Sequence, residues 1–114
     1  MTLQGTIAGN LESVRSRIAA AAGRVGRRVD EVTLVAVSKT FGADAVRAAR
    51  SAGQRDFGEN KVQEGLQKIA ETADMSDVRW HLIGHLQSNK AKKAAGPFHC
   101  IQSIDSVDLL TKVL

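Results

Sequence analysis

The chain has 114 residues, 43% of them hydrophobic and 25% charged, with a formal charge of +4. That length suits one small domain, and no apolar stretch approaches the roughly 18 residues of a membrane span. Lysines and arginines are interleaved with acids, and the densest cluster, Lys90, Lys92 and Lys93, is thin for a nucleic-acid footprint, so no nucleic-acid partner is expected.

The amino terminus, MTLQGTIAGNLESV, has neither a basic n-region nor a continuous apolar h-region, so a cytoplasmic protein is expected. The single cysteine, Cys100, fits a reducing compartment and excludes an internal disulfide. Its place in an apolar strand marks it as a buried, inert thiol.

In chain order, Ile7, Leu11, Val14, Ile18 and Ala22 recur at steps of four and three and predict one apolar stripe on an amphipathic helix. Gly23 and Gly26 stop it, and Arg27 to Glu31 form a polar connector. Val32 to Thr40, VTLVAVSKT, carries four consecutive apolar residues and predicts a strand buried on both faces, with Lys39 emerging at its end.

Ala43 to Ala52 predicts a second helix with Val46, Ala49 and Ala45 on its inner face and Gly53 as its C-terminal cap. A short strand at Gln54 to Phe57 leads into Gly58-Glu59-Asn60. The next helix, from Asn60, turns Val62, Leu66, Ile69 and Ala73 inward, and Asn60 with Gln63 has capping-box spacing. Arg79 to Ile83 is the third strand, Ser88 caps a helix closed by Gly96 and Pro97, and His99 to Ile104 is the fourth strand. Val107 to Leu114 begins a last helix.

Strand then helix, repeated about every 22 to 25 residues, predicts βα units with right-handed crossovers and a parallel sheet. No Gly-x-Gly-x-x-Gly follows the first strand, which argues against a dinucleotide-binding unit. The expected fold is therefore α/β, a partial (β/α) TIM-type barrel of about four units behind an N-terminal helix. A full barrel takes about 250 residues, so residues 1–114 are expected to be the N-terminal half of one, truncated within its last helical pattern.

In such a repeat the residues after each strand share one rim: Lys39, then Glu59 and Asn60, then His85 and Gln87, then Ser103 and Asp105. Each has a plain role as well. Lys39 is either a solvated cation or a desolvated amine able to form an imine with an aldehyde; Asn60 is a helix cap or a ligand contact; His85 binds loop backbone or ligand. His81 and His85 have the i, i+4 spacing of a zinc helix, but a glycine intervenes and the glutamate of that motif is missing, so no metal site is expected.

Three segments, LVAVSKT at 34–40, FGENKVQE at 57–64 and WHLIGHLQSNK at 80–90, resemble the motifs of the pyridoxal 5'-phosphate homeostasis protein family. That family is similar in fold to the amino-terminal barrel of alanine racemase, a fold type III pyridoxal 5'-phosphate (PLP) barrel. The resemblance implies that Lys39 holds PLP as a Schiff base, that Asn60 lies beside the cofactor and that His85 lines the same mouth. It implies intracellular PLP homeostasis with no turnover of its own, hence no catalytic residue.

The family's phosphate pockets and the arginine facing the pyridine nitrogen come from later strands. The helix starts at Ser88 and Ser106 are weak substitutes, and residues 1–114 alone are expected to hold PLP poorly. The open half-barrel edge predicts self-association.

Two other classes of function remain open. A PLP-dependent amino-acid racemase of this barrel type uses a tyrosine as second acid/base, and the chain contains none. A basic interaction module would rest on Lys90, Lys92 and Lys93 alone. An inactive fragment without cofactor binding is the remaining alternative.

Overall fold

A computed structural model describes residues 3–38, 41–103 and 106–113. The order of elements is α1 (Leu3–Arg24), a 3₁₀ turn (Val29–Glu31), β1 (Ala36–Val37), α2 (Ala43–Ser51), β2 (Asp56–Glu59), α3 (Val62–Glu71), β3 (Arg79–Leu82), a second 3₁₀ turn (Ser88–Lys90), α4 (Ala91–Ala95), β4 (Cys100–Ile101) and α5 (Val107–Val113). The four strands form one sheet in the order β1-β2-β3-β4, and each neighbouring pair is parallel. Helical crossovers between sequential parallel strands give the expected βα repeat.

Alternation along the strands sorts the side chains into two faces. Ala36, Phe57, Trp80, Leu82 and Ile101 join one apolar cluster with Val46 and Ala49 of α2, Val62 of α3, Ala91 and Ala94 of α4, and Leu109 of α5. Phe57 and Trp80, paired across β2 and β3, stack with ring centroids 5.6 Å apart. Burying each large side chain in this layer contributes about 1.5–3 kcal/mol. The opposite face carries Val37, Gly58, His81 and Cys100 in register. Helices cover one face of the sheet, as in a barrel wall; a doubly wound sheet would carry them on both. The fold is a partial (β/α) barrel.

Several local expectations are corrected. The first strand is not buried on both faces: Val37 is 48% exposed, and pairing is confined to Ala36 and Val37. The cause is position: Val37 lies on the face that the helices leave uncovered, and β1 is at the edge of the sheet, with β2 as its neighbour among the described residues. On α1, Leu11 and Ala22 are buried but Val14 is 39% exposed, because that helix packs chiefly on α2.

The second strand begins two residues later than expected, at Asp56. Gln54 is taken out of the strand by its side chain, whose amide donates to the carbonyls of Leu34 (2.6 Å) and Asp56 (2.8 Å). Gly53 adopts φ 98°, the left-handed turn foreseen for it after α2. Cys100 is only half-buried.

Candidate functional site

Parallel pairing brings the strand ends together. Val37 lies opposite Gly58, and Glu59 opposite Leu82. The residues following β2 and β3 are therefore neighbours, and they line a cavity of about 940 Å³. Asn60, Lys61, His85, Gln87 and Lys90 line its polar wall together with the carboxylate of Glu64 and the amides of Gln63 and Gln67. Its size lies within the range of about 300–1,000 Å³ typical of ligand clefts.

Two loops meet here at close range. A Cβ on Gly84 would stand 2.3 Å from the Asn60 carbonyl oxygen and 2.7 Å from its Cα, so only glycine allows the approach. Glycine at 84 thus sets Asn60 and His85 on the same cavity. The capping role foreseen for Asn60 is not realised: α3 starts at Val62, its N-cap is Lys61, and no side chain caps it. The start of α3 lies beside the cavity, where the helix dipole favours negative charge.

Ser88 likewise makes no cap bond, because residues 88–90 form a 3₁₀ turn capped at Gln87. Ser106, by contrast, accepts a bond from the Leu109 N–H (3.1 Å) and so caps its own helix.

Lys39 and Asp105 lie outside the described residues. Ser38, immediately before Lys39, is buried and anchored to the end of β2: its N–H donates to the Gly58 carbonyl (3.0 Å) and its hydroxyl to Glu59 Oε1 (2.6 Å). Ser38 also accepts a bond from the Phe41 N–H (3.0 Å), so the two residues that flank Lys39 and Thr40 in sequence are joined.

Glu59 was expected on the rim and is not there. It is the last residue of β2, wholly buried on the helix-facing side, where Lys68 Nζ of α3 approaches Oε1 to 2.5 Å. Lys68 is 5% exposed and also donates to the Ser38 carbonyl. This buried trio went unseen in the sequence because α3 was expected to turn Leu66, Ile69 and Ala73 inward. Gly65, Lys68 and Thr72 are instead the buried residues beyond Val62, Leu66 and Ile69 pack half-buried, and Ala73 is exposed. The step of three or four from Val62 through Gly65 and Lys68 to Thr72 was the available signal.

Below the rim, His81 of β3 hydrogen-bonds Asp56 Oδ1 through Nε2 (2.9 Å) and Gln102 through Nδ1 (3.1 Å). With Asp56 as acceptor, Nε2 carries the proton. Arg79 donates to Asp56 Oδ2 (2.7 Å). Burial pushes the Asp56 carboxyl up, but the bonds from Arg79 and His81 outweigh it and hold the group below its ordinary value. The i, i+4 partner, His85, faces the cavity instead. Ser103 has a buried hydroxyl without a partner among the described residues, and Gln87 lies on the cavity wall.

The cavity fits PLP in its chemistry. Asn60 and His85 offer hydrogen-bonding groups, and Lys61 and Lys90 offer positive charge, with the Glu64 carboxylate on the same wall.

No protein-family model matches the chain. The pyridoxal phosphate homeostasis protein of Escherichia coli (strain K12) is 48% identical over 109 residues, which cover 94% of this chain and 47% of the relative. That of Pseudomonas aeruginosa is 47% identical over 108 residues, or 95% and 46% of the two chains. The chain thus spans about half the length of these curated relatives. Among solved structures, PipY of Synechococcus elongatus with PLP bound matches with a TM-score of 0.81 and 47% identity over 94% of this chain and 46% of PipY. A protein from Bifidobacterium adolescentis matches with a TM-score of 0.90 and 35% identity, over 97% of this chain and 49% of the other. In sequence and in fold, the chain belongs with the pyridoxal phosphate homeostasis protein family, as a match to about half its members' length.

Proposed function

We propose that the chain binds PLP at the rim of its strands, with Lys39 as the amine that holds it as a Schiff base and Asn60 and His85 beside it. The observation that carries this reading is the shared cavity beyond β2 and β3, which gathers Asn60, His85 and two lysines. Ser38, hydrogen-bonded to the end of β2, precedes Lys39 in sequence. PipY, with PLP bound, supports the same ligand class.

In this reading Lys39 would hold the cofactor covalently through its side-chain amine. When bound, PLP supplies the aldehyde and an electron-withdrawing ring. Asn60 and His85 would meet the bound group through hydrogen bonds, and Lys61 and Lys90 would add positive charge beside the Glu64 carboxylate.

The biological role we infer is intracellular PLP homeostasis in the cytoplasm, by holding and releasing the cofactor without turnover. Residues 1–114 then serve as the N-terminal half of an alanine-racemase-like barrel. An absorbance spectrum of the chain with PLP, compared with Lys39→Ala, tests the assignment. A band that borohydride removes, fixing the label on Lys39, is the expected result; identical spectra for the two proteins overturn it.

A further inference from the structure

The Lys68–Glu59 pair is poorly explained by stability. Two charges taken from water regain their hydration only with excellent geometry and full hydrogen bonding, and an apolar pair of like volume often serves folding as well. Here the bonding is one-sided. Glu59 Oε1 receives both the Lys68 ammonium and the Ser38 hydroxyl, while Oε2 is buried with no partner among the described residues. Buried polar atoms without partners are rare in native folds and call for a reason.

Among the described residues, the side-chain hydrogen bonds that the pair makes outside itself converge on Ser38. Lys68 Nζ donates to the Ser38 carbonyl, which also accepts the Phe41 N–H, and Glu59 accepts the Ser38 hydroxyl. Ser38 is held through its carbonyl and its hydroxyl by the pair, and through its N–H by Gly58.

We propose that the buried Lys68–Glu59 pair is a positioning device for Ser38 and for the Phe41 amide bonded to it, and so for Lys39, the residue that follows Ser38 in sequence. The second half of that statement rests on the PLP reading above. Neither residue touches the cofactor in this scheme; Lys68 acts through the Ser38 carbonyl and Glu59 through the Ser38 hydroxyl. The role suits Ser38, which directly follows a short edge strand: β1 contributes two paired residues, and so short a ladder opposes local opening weakly.

The decisive comparison is the parent chain against the double variant Glu59→Leu with Lys68→Met, which replaces the charge pair by apolar side chains. Single variants leave a buried charge alone and threaten the fold. Three quantities are read: the thermal midpoint, hydrogen exchange at the Ser38 and Phe41 amides, and the rate of borohydride-trapped labelling of Lys39 by PLP.

We expect a folded double variant whose Ser38 and Phe41 amides exchange at least ten-fold faster, roughly 1.4 kcal/mol of lost protection. Amides within β2 and β3 stay unchanged, and trapping on Lys39 slows about ten-fold. Parent-like exchange at those two amides in the folded variant overturns the proposal. Should the double variant not fold, Ser38→Ala removes one hydroxyl and leaves the charge pair. Faster exchange at Phe41 then supports the proposal, and unchanged exchange overturns it. A parent chain that traps no PLP while its turn responds as described leaves the positioning device standing and removes the PLP reading instead.

Discussion

Replacing Gly84 by alanine strikes the contact that joins the two rim loops. The added Cβ would fall 2.3, 2.7 and 2.8 Å from the oxygen, Cα and carbonyl carbon of Asn60, all backbone atoms. No rotamer change relieves such a clash, so one loop must retreat by about 1 Å to restore ordinary contact. Overpacking of this kind costs about 1–3 kcal/mol. For a chain of this size, that is a fall in thermal midpoint of about 4–12 °C.

The assay is thermal unfolding followed by far-UV circular dichroism, with Gly9→Ala as the opposite control. Gly9 lies within α1 and a Cβ there meets nothing within 4 Å, so alanine should raise the midpoint through helix propensity, by up to about 1 kcal/mol. A Gly84→Ala midpoint within about 1 °C of the parent would refute the steric argument, and with it the claim that this glycine brings Asn60 and His85 together.

Arg15 joins α1 to the turn before β2 through the Ala52 carbonyl (2.8 Å) and the Gln54 side chain (2.9 Å). Arg15→Ala should cost about 1–2 kcal/mol in urea unfolding, and a midpoint equal to the parent's would count against that tie. The Asp74 carboxyl is lowered to about 2 by its hydrogen bond from Arg47, and Asp56 is also held below its ordinary value. A depressed carboxylate contributes its full stability above the unfolded value near 3.8 and loses it as the pH falls toward the folded value. Stability should therefore drop between those limits, and Arg47→Ala should shrink the Asp74 share of that drop; an identical acid profile in the variant would contradict it. The sheet has edges at β1 and β4, with Val37 beside the first and Val107 exposed at the start of α5. Sedimentation at micromolar concentration should show species larger than a monomer, and a single monomeric boundary would dismiss self-association through the half-barrel edge.

Taken alone, the sequence determined the βα rhythm, the parallel sheet and the cluster of Asn60 and His85 at one rim. These depend on short-range features: apolar periods, a glycine stop at Gly53, and Gly84 just beyond the end of β3. Tertiary structure decided which polar residues went inside. Asp56, Glu59 and Lys68 read as surface charges along the chain and became buried because Arg79, Ser38 and each other arrive from remote segments to bond them. It also decided that β1 would be exposed, since whether an apolar run is covered on both faces depends on what lies beside it, not on its own composition. Local pattern sets what an element is, whereas burial of charge is settled only when distant partners meet, because an ion leaves water only where its counterpart is already waiting.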